Sequence, residues 1–362
     1  MTNYLSGYAE ALYLHVPFCN NICHYCDFAK TVYRQEKANE WLDTIHKQLL
    51  EQVLNKDLKT IYIGGGTPTS LNNKQLDTLL NYLKPYSNNV LEYTIESNIE
   101  NINIDLINIL NKYKVNRISL GVQSLDNNLL KIMNRKHTKE DVFNKLDLLI
   151  NNGINNISID MIYGFNELEI ESFKEQLLLL SNNNAIKHVS LYSLTIEDNT
   201  YFNRIKYQTI DDTNEAKFYL AAKQVLEDNG FHQYEVANFS RINYESIHNK
   251  YYWKYKNFYG IGYGASGKLD NIRFTNTKDN IDKTTLSKED MIFEHIMMNL
   301  RLIEGINIKD INKLYDIDII KEYRDIIDYY IKRKMLILDN GYLKTSEYGL
   351  INLNEILVSF LN

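Results

Sequence analysis

Six short apolar segments, each followed by a helical pattern, run through the first two hundred residues of the chain. Residues such as Trp41 and Ile45 recur at helical spacing, and 125 to about 150 is predicted as one helical stretch. Strands that alternate with helices form a parallel sheet with right-handed crossovers, either open or curved into a barrel. We therefore predict an α/β fold whose functional groups collect at the carboxyl ends of the strands. The predicted strands are 12–16, 60–63, 93–96, 117–120, 157–162 and 187–192.

The alternation ends at about residue 206. A long helix is predicted over 214–229, and an aromatic, glycine-rich region follows over 232–267. Near the end of the chain, Asp339-Asn340-Gly341 between two short apolar segments indicates a β-hairpin. We expect three parts, which are 1–205 with the parallel sheet, 206–285 as a connecting region, and 286–362 as a small helical domain of winged-helix-like type.

Composition excludes several classes of protein. The chain has 362 residues, of which 44% are hydrophobic, and this argues against disorder. A net charge of -6 gives no basic field for a phosphate backbone, so no nucleic-acid partner is expected. No run approaches the roughly 18 apolar residues that cross a bilayer, and the first residues lack the basic segment of a signal peptide. We therefore expect a cytoplasmic protein.

The three cysteines of the chain, Cys19, Cys23 and Cys26, follow one another in the spacing C-x3-C-x2-C. In a cytosolic protein this spacing indicates metal ligands rather than disulfides. A structural zinc site with a fourth ligand from His15 or His24 is one alternative, and three inert core cysteines are another. Ligands at this spacing can also each bind a different iron of one [4Fe-4S] cubane. The fourth iron then stays open to a substrate or cosubstrate.

Polar and glycine residues follow the predicted strands. The second strand ends in GGGTPT (64–69), where the missing Cβ atoms let backbone approach a ligand closely. A P-loop would end in Lys followed by Ser or Thr, and that ending is absent. Glu96, Gln123 and Asp160 stand at the ends of three later strands. Each alone is more often a solvated polar group, but parallel strands bring them to one edge, so we predict a ligand site there.

Residues 13–26, YLHVPFCNNICHYC, resemble the cluster loop of the radical S-adenosylmethionine (SAM) superfamily. The resemblance is to the branch that holds oxygen-independent coproporphyrinogen III oxidase and the HemW haem chaperones. It implies a partial (β/α)6 barrel and a [4Fe-4S] cluster on the three cysteines, whose open iron binds the amino and carboxylate groups of SAM. In that superfamily an electron from the cluster cleaves a carbon-sulfur bond of SAM and forms a 5'-deoxyadenosyl radical.

Further positions match motifs of the same branch. The segment 248–253, HNKYYW, matches the H-N-x-x-Y-W feature associated with haem binding in the HemW group, and this makes His248 the implied haem ligand. A histidine beside aromatic residues is otherwise more often a packed residue. Residues 262–267, GYGASG, match a glycine-rich turn of the branch rather than a dinucleotide fingerprint. The residues implied to line SAM sites are Tyr13, Gly65, Gly66, Thr67, Glu96, Gln123, Arg135 and Asp160.

Two differences from the sequence motifs of this branch indicate which of its members the chain resembles. Coproporphyrinogen oxidases carry a fourth cysteine two residues after the third, where this chain has Phe28, and they have an N-terminal extension, whereas the first strand here begins by about residue 11. Both differences favour a haem chaperone that delivers haem to an acceptor protein, with the oxidase as the alternative. The expected partners are haem, an acceptor protein and an electron donor, and peripheral contact with membrane haem proteins is compatible with the sequence. Family prolines are replaced by Ile99, Asp198 and Tyr263, which removes rigidity from three turns.

Overall fold

The computed structural model describes residues 7–52, 54–278 and 280–361. The strands are β1 (Ala11–Val16), β2 (Phe18–Cys19), β3 (Thr31–Val32), β4 (Thr60–Gly65), β5 (Glu92–Asn98), β6 (Arg117–Gln123), β7 (Ile157–Tyr163), β8 (Ile186–Ser193), β9 (His232–Gln233), β10 (Asn238–Ser240), β11 (Tyr259–Ile261), β12 (Ser266–Leu269), β13 (Ile272–Asn276), β14 (Ile281–Thr285), β15 (Ile306–Asn307), β16 (Leu336–Asp339) and β17 (Tyr342–Thr345). The α-helices are α1 (Gln35–Glu51), α2 (Asn73–Leu83), α3 (Ile104–Lys112), α4 (Asn127–Ile132), α5 (Lys139–Asn151), α6 (Ile170–Ser181), α7 (Tyr201–Arg204), α8 (Asp212–Asp228), α9 (Ile247–Trp253), α10 (Lys288–Asn299), α11 (Ile308–Tyr315), α12 (Ile319–Glu322), α13 (Arg324–Lys332), α14 (Glu347–Ile351) and α15 (Leu353–Ser359).

The largest sheet has nine strands in the order β11-β1-β4-β5-β6-β7-β8-β10-β9. Its central six strands, β1 and β4 to β8, are parallel to their neighbours among themselves. This confirms the predicted α/β architecture of a partial radical SAM barrel. All six predicted strands are present, and each is one to three residues longer than the sequence indicated because the polar residues at its ends still pair with the neighbouring strand.

The helical stretch predicted from 125 to about 150 is wrong as a single helix. The structure divides it into α4 and α5, with Arg135 in the loop between them. Asn134 takes a left-handed conformation with φ of 60°, which asparagine tolerates better than most residues and which ends the first helix. Thr138 begins the second helix through a capping box with Asp141. The break matters because it frees Arg135 to point toward the barrel.

Strand β6 illustrates how the barrel separates core from cavity. Ile118, Leu120 and Val122 lie fully buried in the apolar core. The alternate residues, beginning with Arg117 and Ser119, line a cavity inside the barrel. Side chains of successive strand residues point to opposite faces, so the two-residue period assigns the apolar set to the core and the polar set to the cavity.

Helix α9 closes the end of the barrel where the parallel strands begin, and we call it the barrel floor. Glu92, the first residue of β5, accepts hydrogen bonds from Ser246 Oγ (3.1 Å), from the backbone N–H of Ile247 (2.8 Å) and from that of His248 (3.0 Å). The carboxylate thus satisfies N–H groups that the first turn of a helix leaves without a partner. The Glu92 contacts attach the floor to the sheet.

The C-terminal part, from 286 to 361, has its own apolar core, which contains Ile296, Ile311, Ile327, Leu343 and Ile356. Its three strands have the order β15-β17-β16, and the predicted hairpin forms β16 and β17. Two short helices, α12 and α13, precede the hairpin. Helices followed by this hairpin give the winged-helix-like arrangement that the sequence indicated. No helix in the described part of the chain is both long and apolar enough to cross a membrane.

Candidate functional site

The three cysteines lie in one loop at the carboxyl end of β1, and we call residues 19–26 the cluster loop. Cys19 ends β2 and is buried, whereas Cys23 and Cys26 are half-buried. The backbone N–H of Cys26 donates to the carbonyl of Cys23 at 3.3 Å, which forms a tight turn between these two ligands. Strand β2 pairs in parallel with β3, so the loop is fixed where it leaves and where it returns.

The segment between α4 and α5 holds the cluster loop in place. The backbone N–H of His24 donates to Met133 O at 3.1 Å, and Asn134 Nδ2 donates to Ile22 O at 2.9 Å. The His24 ring has Nδ1 2.8 Å from Ile132 O and is stacked on Tyr201 at 4.1 Å. His24, one of the two candidate zinc ligands, therefore has a structural role in this arrangement.

The environment of the three thiols is set by burial and by two polar side chains. Thr67 Oγ1 lies 3.6 Å from Cys19 Sγ, and Arg135 Nη1 lies 3.4 Å from Cys23 Sγ. Burial raises the pKa of Cys19 to about 11 and also raises the pKa of Cys26, so metal binding must displace a proton from each. Within the described ranges no three Cys, His, Asp or Glu side chains are placed to share one ion. A cubane does not require that convergence, because each cysteine binds its own iron.

Residues 64–67, which we call the glycine loop, pack directly against the cluster loop. A Cβ on Gly66 would lie 2.8 Å from Phe18 O and 2.9 Å from Cys19 Sγ, and a Cβ on Gly64 would lie 2.9 Å from a Glu96 oxygen. Gly65 also has φ of 118°, a conformation that other residues rarely adopt. The close approach of the two loops therefore depends on the missing side chains.

The two loops form one end of a cavity of about 330 Å³ inside the barrel. Ten of the twelve residues that the sequence singled out line this cavity, from five strands and three loops. They are Cys19, Cys23, Cys26, Gly65, Gly66, Thr67, Glu96, Gln123, Arg135 and Asp160.

Two carboxylates face each other across the cavity. Glu96 accepts hydrogen bonds from Tyr62 OH at 2.8 Å and from the backbone N–H of Gly65 at 3.1 Å. Burial nevertheless raises the pKa of Glu96 to about 7. Burial also raises the pKa of Asp160 to about 6, with Ser119 Oγ donating to it at 3.4 Å. Both groups thus change charge near neutral pH and can accept or share a proton with a ligand.

Three buried polar atoms at the cavity wall have no hydrogen-bond partner among the described residues, and two of them, on Gln123 and Arg135, test whether SAM fits. Gln123 Oε1 is an unpaired acceptor on a residue with φ of 66°, next to an irregularity in the β6 to β7 pairing. Arg135 Nε is an unpaired donor, while its Nη1 donates to Asn98 Oδ1 at 3.1 Å and its Nη2 donates to Gly121 O. Buried polar groups are normally hydrogen-bonded, so this wall suits a ligand rich in polar groups, such as SAM.

Tyr13 and His248 do not line the cavity. The Tyr13 hydroxyl lies 3.0 Å from His15 Nδ1, and His15 Nε2 lies 2.7 Å from Ala29 O, so this pair supports the cluster loop from behind.

His248 is fully buried in the barrel floor. Its Nδ1 lies 2.8 Å from Thr60 Oγ1, its Nε2 lies 2.6 Å from Tyr252 OH, and its ring is stacked on Tyr62 at 5.1 Å. Burial and the positive charge of Arg117 lower the pKa of His248 to about 3, so the ring is neutral. In this arrangement neither ring nitrogen is available to a haem iron.

Arg117 and Tyr62 are among the cavity residues that sequence reasoning missed. Both lie on strands that also carry an identified residue, Gln123 on β6 and Gly65 on β4. Arg117 precedes Gln123 by six positions on β6, so the two-residue period places both side chains on one face. Continuing that alternation backward from Gln123 was the signal that could have found Arg117.

Two family profiles match the chain. The profile described as the radical SAM superfamily matches residues 13–180, and that of the HemN C-terminal domain matches residues 286–351. The solved structure of coproporphyrinogen III oxidase (HemN) from Escherichia coli superposes with a TM-score of 0.83 at 20% identity, covering 97% of this chain and 89% of that one. The class is therefore a radical SAM barrel with a HemN-type C-terminal domain.

Curated relatives define the family more narrowly. The haem chaperone HemW of Lactococcus lactis is 35% identical over 97% of this chain and 97% of that protein. HemW of Bacillus subtilis is 29% identical over 97% of this chain and 99% of its own length, and HemW of Escherichia coli is 29% identical over 97% and 98%. The chain belongs to the HemW family.

Proposed function

We propose that the protein is a haem chaperone that holds a [4Fe-4S] cluster and SAM in its barrel, binds haem, and transfers the haem to an acceptor protein. The observation that carries the proposal is the match along 97% of both chains to a HemW chaperone at 35% identity. The cavity supports it, since the cysteines and seven of the eight residues predicted for SAM lie around one space.

In the proposed cofactor site, Cys19, Cys23 and Cys26 hold the cluster. The cluster supplies an electron and SAM supplies the carbon-sulfur bond that this electron can cleave. The protein itself orients the carboxylate that can accept hydrogen bonds from the ligand. Tyr62 OH and the Gly65 N–H orient the Glu96 carboxylate, and burial keeps that group close to its protonation midpoint at neutral pH.

The role proposed for His248 as the haem ligand carries a structural condition. An imidazole binds iron through a free ring nitrogen, and Nε2 of His248 is 2.6 Å from Tyr252 OH. Iron binding by His248 therefore requires α9 to move and this contact to break.

The test is a haem titration of anaerobically reconstituted protein. We expect the wild type to bind haem and His248→Ala to bind it at least tenfold more weakly. Tyr252→Phe removes the hydroxyl that occupies Nε2, so it is expected to tighten haem binding if His248 is the ligand. A wild type that binds no haem contradicts the chaperone proposal. Equal binding by the wild type and both variants contradicts only the assignment to His248.

A second candidate function is oxidative decarboxylation of coproporphyrinogen III, favoured by the cavity that gathers the cluster cysteines with the SAM residues. Against it stands Phe28, which lies in the cavity wall where the oxidases carry a fourth cysteine. Incubation with coproporphyrinogen III, SAM and a reductant distinguishes the two. Protoporphyrinogen as a product establishes the oxidase, and its absence from a cluster-loaded sample removes it.

A further inference from the structure

Arg117 is a buried cation that faces the cavity and makes no direct ion pair with a described residue. Its side chain starts from the first residue of β6, is 3% exposed and lines the cavity. Its Nε has no hydrogen-bond partner, and among the described residues no carboxylate forms an ion pair with its guanidinium. Arg135, the other arginine of the cavity, differs because it contacts Cys23, Asn98 and Gly121.

The groups around Arg117 act on it only through space. Glu96 and Asp160 face it from β5 and β7, and the arginine lowers the pKa of both. His248 on the floor and His188 on β8 are held neutral in part by its charge. The positive charge of Arg117 also acts on the tyrosine hydroxyls of β4 and of the segment after β9, which belong to Tyr62 and Tyr234.

Such an arrangement suits a ligand with one negative charge. A buried guanidinium without a partner is costly, and a carboxylate is the group whose two oxygens match its planar donors. A phosphate dianion fits less well, because it brings a second negative charge toward Glu96 and Asp160. The site therefore favours a single carboxylate over a phosphate.

The carboxylate of SAM is already assigned elsewhere. In the proposed cofactor site it binds the open iron at the cluster loop, whereas Arg117 lies beside the floor, at the start of the strands. The carboxylate at Arg117 must then come from a second molecule.

We propose that Arg117 binds a propionate carboxylate of the tetrapyrrole ligand, which reaches into the barrel cavity. This inference rests on the proposed haem-binding function and deepens it by naming a contact for the haem side chain. It is independent of which atom ligates the iron.

The experiment compares haem with haem dimethyl ester, whose propionates carry no charge, on reconstituted full-length protein. We expect Arg117→Gln to weaken haem binding roughly ten- to a hundredfold, the range for one charged hydrogen-bonded contact, and to leave the ester unchanged. Arg117→Lys keeps the charge without the planar donors and is expected to fall between. Equal loss for haem and ester, or no loss for haem, overturns the proposal.

A matched control is Arg241→Gln. Arg241 donates to the carbonyl oxygens of Ile186, Asn229 and Ser181 outside the cavity, so its loss should not change the preference for haem over the ester. Cluster absorbance and SAM binding report whether each variant is folded. If Arg117→Gln does not fold, the wild type must still prefer haem to the ester at least tenfold, and equal affinities overturn the inference.

Failure of the proposed function gives a different result. A wild type that binds no haem contradicts the chaperone, and the same variants are then titrated with coproporphyrinogen III, which also carries propionates. Selective loss in Arg117→Gln supports the carboxylate site without the chaperone. No binding, or no difference between the wild type and Arg117→Gln, overturns it.

Discussion

The cluster loop and the barrel floor were both singled out by short motifs, yet they differ in how their key side chains are engaged. At the cluster loop, Cys23 and Cys26 are half-buried and line a cavity. At the floor, His248 is fully buried with a partner on each ring nitrogen. The difference teaches that a motif identifies a residue, whereas its hydrogen-bond partners decide whether it is available to a ligand.

The largest expected effect is at the cluster loop. Cys26→Ser replaces a thiolate ligand with a hydroxyl, so we expect the variant to lose the visible absorbance of the cluster after anaerobic reconstitution. Phe28→Ala, two residues away at an exposed side chain, is the control and should retain it. Full absorbance in Cys26→Ser contradicts the assignment of Cys26 as a cluster ligand. The cluster loop would then no longer differ from the barrel floor in having side chains available to a ligand.

The second prediction concerns the floor. His248→Ala deletes a buried ring and leaves Thr60 and Tyr252 without their partner, so we expect the free energy of unfolding to fall by about 3 kcal/mol in urea titrations. The cluster should still assemble, because it lies at the other end of the barrel. The control is His46→Ala, an exposed histidine stacked on Tyr82, for which a change below about 0.5 kcal/mol is expected. A stable His248→Ala variant shows that the floor is not held by this ring.

The third prediction sharpens the geometry of the cluster end. Gly66→Ala places a methyl group against Phe18 O and Cys19 Sγ, and we expect about 2 kcal/mol lower stability together with weaker cluster retention. Gly153→Ala is the control, since no atom lies within 4 Å of its new Cβ although its φ is 89°. Any cost in Gly153→Ala comes from its backbone conformation, so equal loss of cluster retention in both variants attributes the effect to lower stability rather than to contact between the two loops.

The last prediction is a pH dependence of stability. It arises in the cavity, which lies between the cluster loop and the barrel floor. Glu96 has its pKa raised to about 7 by burial, so the folded state prefers the protonated acid. Protonated Glu96 therefore stabilises the folded state fully below the ordinary glutamate pKa. This stabilisation is lost as the pH rises to about 7. We expect the cofactor-free protein to lose roughly 2 kcal/mol between pH 5 and pH 8 on this account. Glu96→Gln should flatten the slope, and an unchanged slope assigns it to other groups.

Strands and glycine positions were predictable because they depend on local patterns. A short apolar segment located β6, and the glycine triplet located the loop that packs on Cys19. The break between α4 and α5 was missed because a helical apolar pattern continues across it, and only the left-handed Asn134 interrupts the backbone. The partners of His248 were also beyond the sequence, since Thr60 is 188 residues away.

Arg117 was only partly predictable from the sequence. Its position on the cavity face follows from counting along β6, but its lack of an ion-pair partner depends on where side chains from four other elements end. Spacing along one strand is information that the sequence holds, whereas an unmet charge is a property of the assembled barrel.

Helix α9 is held at its two ends by different parts of the molecule. Its first turn is fastened to the sheet through Glu92, and its last residue, Trp253, accepts a hydrogen bond from Asn299 Nδ2 of α10 at 2.9 Å. A seven-residue helix is too short to bend between these attachments. It therefore acts as a mechanical link, and the C-terminal domain cannot rotate away from the barrel without pulling on the base of the cavity.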